Sequence, residues 1–230
     1  MMELSNIKLD ELAVISDFDG TITNCDTNDL IFSNFGNEIN SNIEQLFKNN
    51  EIGTREAMEK HFEQITMSEQ QYIDYIQNNV SIRDGFYDFA RNCMENAIPL
   101  SIVSGGFENI INQMLREISP KIACYARVYA NRLNFQGEII TPKFKHTTVN
   151  CVKEYGPCGN CKRSYVKDLQ YQNYQVIFIG DGLTDRCGAE NADFVFARDA
   201  LIDFCRNEQI PFLSYEDFTD VKKYVFDKSF

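Results

Sequence analysis

The stretch LAVISDFDGTIT, Leu12 to Thr23, decides how the rest of the chain is read. Its first five residues are apolar or small and run unbroken to Asp17. A short continuous apolar run is the mark of a strand buried on both faces, as inside a parallel sheet covered by helices. Two aspartates, a glycine and two threonines then follow at once. Carboxylates at the mouth of a core strand are costly unless a metal, a cation or a chemical task compensates for them.

Outward from this stretch, similar β-rich runs recur: PLSIV (99–103), QVIFIG (175–180) and DFVFA (193–197). Helical patterns alternate with them, in DGFYDFARNCMENA (84–97), FENIINQMLREI (107–118) and DALIDFCRNEQ (199–209). The alternation predicts an α/β fold with a parallel sheet covered on both faces. CYARVYANRLNFQGEIITPKF (124–144) reads as a short strand and then a hairpin around Gln136-Gly137.

One segment breaks the pattern. From Asp26 to Asn79 only helical stretches occur, among them NSNIEQLFKN, TREAMEKHFEQI and SEQQYIDYIQNN. A crossover rarely needs about fifty residues, so this segment reads as an inserted helical cap. The expected division is a core of residues 1–24 and 80–230, with a cap of residues 25–79.

Bulk properties narrow the function classes. The 230 residues carry a formal net charge of −12, and the basic residues form no stripe, which argues against a nucleic-acid groove. A small anionic substrate would need a locally positive site in this negative field, and a divalent cation would provide it. No run is long enough to span a membrane, and MMELSNIKLDE lacks the regions of a signal peptide. The eight cysteines then read as reduced thiols in a cytoplasmic protein. The sequence leaves monomer and homodimer equally open.

Ligands of an open parallel sheet bind at the carboxyl ends of its strands. There the sequence places Asp17 and Asp19 after the first strand and Ser104-Gly105-Gly106 after the second. Asp181 and Asp185 follow VIFIG, and Lys162 opens the helical run CKRSYVKDL. Each feature alone is weak; together they describe phosphoryl transfer. A carboxylate is ionised at neutral pH and can attack phosphorus without a base, provided its charge and that of the phosphate are neutralised. Clustered carboxylates without a neighbouring histidine favour Mg²⁺ over zinc. Serine and glycine amides after a strand can hold phosphate oxygens.

DFDGTIT, IVSGG, Lys162 and GDGLTD occur in the order of the four motifs of haloacid dehalogenase-like (HAD) phosphatases, and the chain resembles that family along almost its whole length. The helical insert after the first motif resembles the type-1 cap of the phosphoserine phosphatase-like branch, on an HAD-like Rossmannoid core. Closer still, IRDGFYDFA, CGNCK, IGDGLTD and FARDALIDFCRNEQIPFLSYEDF resemble the 2-hydroxy-3-keto-5-methylthiopentenyl-1-phosphate phosphatases of methionine salvage. The resemblance implies a phosphomonoesterase with Asp17 as nucleophile and Asp19 as acid and base. It implies Mg²⁺ on the Asp17 and Asp181 carboxylates and the Asp19 carbonyl, with Asp185 in support. Ser104, the Gly105 amide and Lys162 would hold the phosphate of a small metabolite. Phosphoserine, phosphoethanolamine and phosphocholine are the alternative substrates, and a non-hydrolysing phosphoacceptor or metabolite-binding module is the alternative class.

Three weaker signals remain. Asp26 stands where the branch places an acid near a substrate amine, and equally where a helix N-cap would stand. Arg55 and Lys60 lie near the position of a carboxylate-binding arginine, yet both suit solvated helix charges; His61 reads as solvent-facing. His146, Cys151, Cys158 and Cys161 occur in zinc-like order, against reduced thiols that order the loop before Lys162 or a redox-sensitive pair.

Overall fold

A computed structural model describes residues 8–49, 51–145 and 158–227. Seven strands form one sheet in the order β4-β3-β2-β1-β5-β6-β7. They are β1 (Leu12–Ser16), β2 (Leu100–Phe107), β3 (Arg127–Gln136), β4 (Ile139–Lys143), β5 (Gln175–Gly180), β6 (Phe194–Ala197) and β7 (Leu213–Ser214). All neighbours pair in parallel except β3 and β4, which form the antiparallel hairpin expected at Gln136-Gly137. Gly137 turns that hairpin with φ of 63°.

Every residue of β1 is buried, as its unbroken apolar run requires. Alternation along the strand sends Leu12 and Val14 to one face and Ala13 and Ile15 to the other. The first face packs against α5 (Phe86–Glu95), α6 (Glu108–Ile118), α7 (Pro120–Tyr125) and α11 (Phe218–Lys222). The second packs against α8 (Lys162–Tyr171), α9 (Arg186–Ala189) and α10 (Asp199–Asn207). Strand β7 and helices α7 and α11 had no sequence expectation; β7 has only two residues and no periodicity to read.

Between β1 and α5 lie α1 (Thr27–Phe35), α2 (Glu38–Lys48), α3 (Thr54–Phe62) and α4 (Glu69–Asn79). Ser68 and Gln71 close a reciprocal capping box at the start of α4, as their spacing suggests. Phe62 of α3 meets Phe32 at 5.1 Å and Phe107 at 5.4 Å, both edge-on, which joins the insert to the end of β2. The two connections of the insert are stitched together. Thr23 bridges Ile82, and the Arg83 guanidinium donates to the carbonyls of Gly20, Thr21 and Thr23 at 2.8–3.0 Å.

His61 is corrected by the structure: it is buried, not solvent-facing. Its ring stacks on Phe32 with 4.1 Å between centroids, and Asn40 donates to Nδ1 at 2.9 Å. A flat ring that buries one face and pairs one nitrogen gains more inside the insert than in water.

Candidate functional site

The sequence-predicted acids converge at the carboxyl edge of β1, β2 and β5. Asp17 follows β1; its Oδ1 accepts from the Phe18 amide at 2.7 Å, and its Oδ2 meets Lys162 Nζ at 2.6 Å. Lys162, buried at the first position of α8, reaches Asp185 Oδ1 at 2.5 Å in the same fork. Burial alone would lower the lysine's pKa, but Asp17 and Asp185 outweigh it and raise the pKa, so the ammonium stays charged.

Asp185 is spoken for on both oxygens. Its Oδ2 accepts from the Asp181 amide at 3.0 Å and the Gly182 amide at 2.9 Å, in a tight turn over Leu183–Asp185. Asp181 accepts from Thr21 Oγ1 at 2.5 Å through Oδ1. Gly20, at φ of 75°, lies under Asp181 Oδ2, and a Cβ there would overlap that oxygen. The glycine is therefore required both by its backbone angle and by the close approach of a carboxylate.

Asp17, Asp181 and Asp185 bring one oxygen each within 4.8 Å of one another, the one such cluster among the described residues. Three hard oxygen donors with no nitrogen or sulfur suit a divalent alkaline-earth cation. The electrostatics agree. Burial, then Asp185, pushes the Asp17 carboxyl well up, and the same two causes push Asp181 up to about 7. One lysine does not neutralise the group, so the residues present fit a bound cation, with Asp181 Oδ2 outside the hydrogen bonds described above.

The signs of these shifts give a first prediction. Carboxyl pKa values raised above the unfolded value near 3.9 mean that the metal-free native state binds more protons than the unfolded chain. Metal-free protein should lose stability as pH rises from about 4 through 7. Divalent cation should restore it, and more so at pH 8 than at pH 5. Thermal melts in chelator and in magnesium at both pH values check this; a cation effect independent of pH contradicts it.

Asp19 is buried beside this cluster in a different environment. Thr27 donates to its Oδ1 through the amide at 3.1 Å and through Oγ1 at 2.5 Å, and Ser104 Oγ donates to its Oδ2 at 3.1 Å. Burial still wins over these bonds and raises its pKa. The Ser104 hydroxyl in turn accepts from the Gly106 amide at 2.8 Å. Thr27 is the first residue of α1, so the insert itself grips Asp19. Sequence reasoning missed Thr27, because a threonine at a helix start reads as capping.

A cavity of about 370 Å³ opens over these groups. Asp17, Asp19, Gly105, Lys162 and Asp181 line its floor; Asp26, Asp29, Glu44, Phe47 and Lys48 line the side formed by the insert. Asp26 caps α1 through the Asn28 and Asp29 amides, as one of its two readings expects, and it also lines the cavity. Arg55 and Lys60 are not among the lining residues. Arg55 lies over the Phe144 ring at 5.1 Å and pairs with Glu59 at 3.5 Å, and Lys60 pairs with Glu56 at 3.3 Å. Of the zinc-like set, His146 and Cys151 lie outside the described residues, and Cys158 lines the cavity just ahead of Cys161 at the start of α8.

Comparison with known proteins agrees with this geometry. The haloacid dehalogenase-like hydrolase family matches residues 14–190, from β1 through α9. A 2-hydroxy-3-keto-5-methylthiopentenyl-1-phosphate phosphatase of Bacillus mycoides (strain KBAB4) is 33% identical over 211 residues, covering 91% of this chain and 94% of that protein. Its counterpart in Bacillus cereus (strain AH820) is 32% identical over 212 residues, covering 92% and 94%. Among solved structures, a phospho-aspartyl intermediate analogue of phosphoserine phosphatase superposes with a TM-score of 0.67 at 16% identity, covering 94% of this chain and 99% of that one. A substrate-bound phosphoserine phosphatase gives 0.66 at 15%, covering 94% and 98%, and these two likenesses concern the fold. With four acids, one lysine and a serine-glycine turn gathered on one sheet edge, the chain belongs to the haloacid dehalogenase-like hydrolases, and within them it is a phosphatase that hydrolyses phosphoric monoesters.

Proposed function

We propose that this chain is a magnesium-dependent phosphatase acting on 2-hydroxy-3-keto-5-methylthiopentenyl-1-phosphate through an aspartyl-phosphate on Asp17. Its relatedness to phosphatases of that name, over 94% of their length, carries the choice of substrate. Magnesium, held by the Asp17 and Asp181 carboxylates, supplies positive charge against the ester's oxygens.

The chain's own groups do the rest. Lys162 aims Asp17 and, together with the bound cation, favours its ionised form against burial and Asp185; its ammonium faces the incoming phosphate. Asp17 attacks phosphorus; the ester P–O bond breaks, and Asp19 passes its proton to the departing oxygen. The raised pKa of Asp19 favours the protonated form this step needs. Water then attacks the phosphorus of the aspartyl-phosphate, Asp19 takes its proton, and inorganic phosphate leaves Asp17 free. The helical insert acts as a cap that walls the cavity against bulk water and selects the leaving group.

The cap wall supports an uncharged leaving group over phosphoserine. Asp26, Asp29 and Glu44 give it three carboxylates. Among the described residues, every cation lining the cavity already has a partner: Lys48 with Glu44 at 3.1 Å, Lys162 with Asp17 and Asp185, and Arg186 with the Leu183 carbonyl at 2.7 Å. A carboxylate on the leaving group would face net negative charge, whereas a hydroxy-ketone with a methylthio tail would meet polar groups and the apolar Phe47, Ile52 and Leu183. The test is a panel of the salvage ester, phosphoserine and phosphoethanolamine compared by kcat/KM. The salvage ester should exceed phosphoserine roughly 100-fold, the order expected of one unpaired buried charge. Phosphoserine as the best substrate would overturn the proposed specificity and leave the phosphatase chemistry standing.

A further inference from the structure

The turn Ser104-Gly105-Gly106 is a bulge in a strand. Strand β2 pairs Val103 with Tyr129 and resumes pairing at Phe107 with Asn131, so three residues face only Ala130 on β3. A bulge takes backbone groups out of the ladder, and at a buried site each must find another partner. Two buried asparagines supply them. Asn160 Nδ2 donates one proton to the Ser104 carbonyl at 3.0 Å and the other to the Tyr129 carbonyl at 2.8 Å. Asn131 Nδ2 donates to the Gly105 carbonyl at 2.8 Å. Both side chains are nearly solvent-free, at 5% and 0% exposure.

These bonds do more than satisfy carbonyls. In a trans peptide the carbonyl and the following N–H point in opposite directions. Holding the Ser104 oxygen towards Asn160 therefore turns the Gly105 N–H the other way, and holding the Gly105 oxygen towards Asn131 does the same for the Gly106 N–H. The Gly106 amide accordingly reaches Ser104 Oγ. A peptide plane beside glycine flips at little steric cost, and one flip would replace a donor in the turn by a carbonyl oxygen. An anionic phosphate would be repelled by that oxygen. Asn160 also stands two residues before Lys162, so the same side chain ties the phosphate turn to the loop that delivers the ammonium.

We infer that Asn131 and Asn160 are positioning residues that lock the peptide planes of Ser104–Gly106, with the Gly105 amide turned to the substrate's phosphate and the Gly106 amide holding Ser104 Oγ. The inference rests on the proposed phosphate-holding role of that turn and is independent of which ester is the substrate. It is tested with Asn160→Ala and, separately, Asn131→Ala in the full chain. The readouts are p-nitrophenyl phosphate turnover, competitive inhibition by orthophosphate, and the magnesium concentration for half-maximal activity. Each variant should weaken orthophosphate binding about tenfold or more, the scale of a lost donor to a charged group. KM for the aryl phosphate should rise in parallel. Magnesium half-saturation should stay within about twofold, because the two Nδ2 groups bond to the carbonyls of Ser104, Gly105 and Tyr129 and not to Asp17 or Asp181.

If one variant does not fold, the other decides. A folded variant whose orthophosphate inhibition stays within twofold of wild type overturns the lock. So does one in which magnesium and phosphate affinities fall together, since that would mark general loosening of the site. A wild-type enzyme that orthophosphate does not inhibit would instead remove the phosphate-holding role of the turn, and the lock with it.

Discussion

Asp17→Asn should abolish turnover, with kcat on p-nitrophenyl phosphate reduced roughly 10⁴-fold or more, the scale of deleting a covalent nucleophile. The substitution keeps shape and hydrogen-bonding oxygen but removes the charge that attacks phosphorus. It leaves Lys162 with Asp185 as a carboxylate partner at 2.5 Å, so a buried unpaired ammonium is avoided and the fold should persist. The check is steady-state kinetics beside a thermal melt in magnesium. A folded Asp17→Asn enzyme retaining a tenth of wild-type activity would move the chemistry to another group.

Asp19→Asn should give a different kind of loss. Thr27 can still donate to the oxygen of the amide, so geometry at the start of α1 should survive. What disappears is the transferable proton. With an alkyl ester both half-reactions slow. With p-nitrophenyl phosphate, whose phenolate departs without protonation, the first half-reaction should continue while hydrolysis of the acyl phosphate stalls. Rapid-mixing traces should then show a burst approaching one nitrophenolate per enzyme, followed by a steady state about 10²–10⁴-fold below wild type. Linear release with no burst would remove Asp19 from the second step.

The acidic centre was legible because its signals are local. A buried strand announces itself by an unbroken apolar run, and the charged residues immediately after it must lie at the sheet's carboxyl edge whatever the rest of the chain does. The helical insert was legible for the same reason: helical periodicity over Asp26–Asn79 needs no tertiary information. The contacts that hold these groups still were not legible. Arg83, Asn131 and Asn160 act on backbone carbonyls contributed by segments remote in sequence, and a side chain bound to a carbonyl leaves no pattern; Thr27 reaches Asp19 only because the chain folds back at the start of α1. His61 shows the limit from the other side. Its helix looks polar by composition, yet Phe32 and Asn40 from two neighbouring helices give the ring a buried niche that only the packed insert defines. Arg55 shows it again, because its partner ring, Phe144, follows β4.

The claim on which the rest depends is that phosphorus is carried by the carboxylate at the end of β1. It is met most directly by quenching the Asp19→Asn enzyme in acid during its p-nitrophenyl phosphate burst and mapping the phosphoryl group by peptide mass spectrometry. The mass increment of one phosphoryl group should fall on Asp17, at a stoichiometry matching the burst, and be absent from Asp17→Asn protein treated identically. A phosphoryl group on any other residue, or a full burst with no covalent adduct, would contradict it.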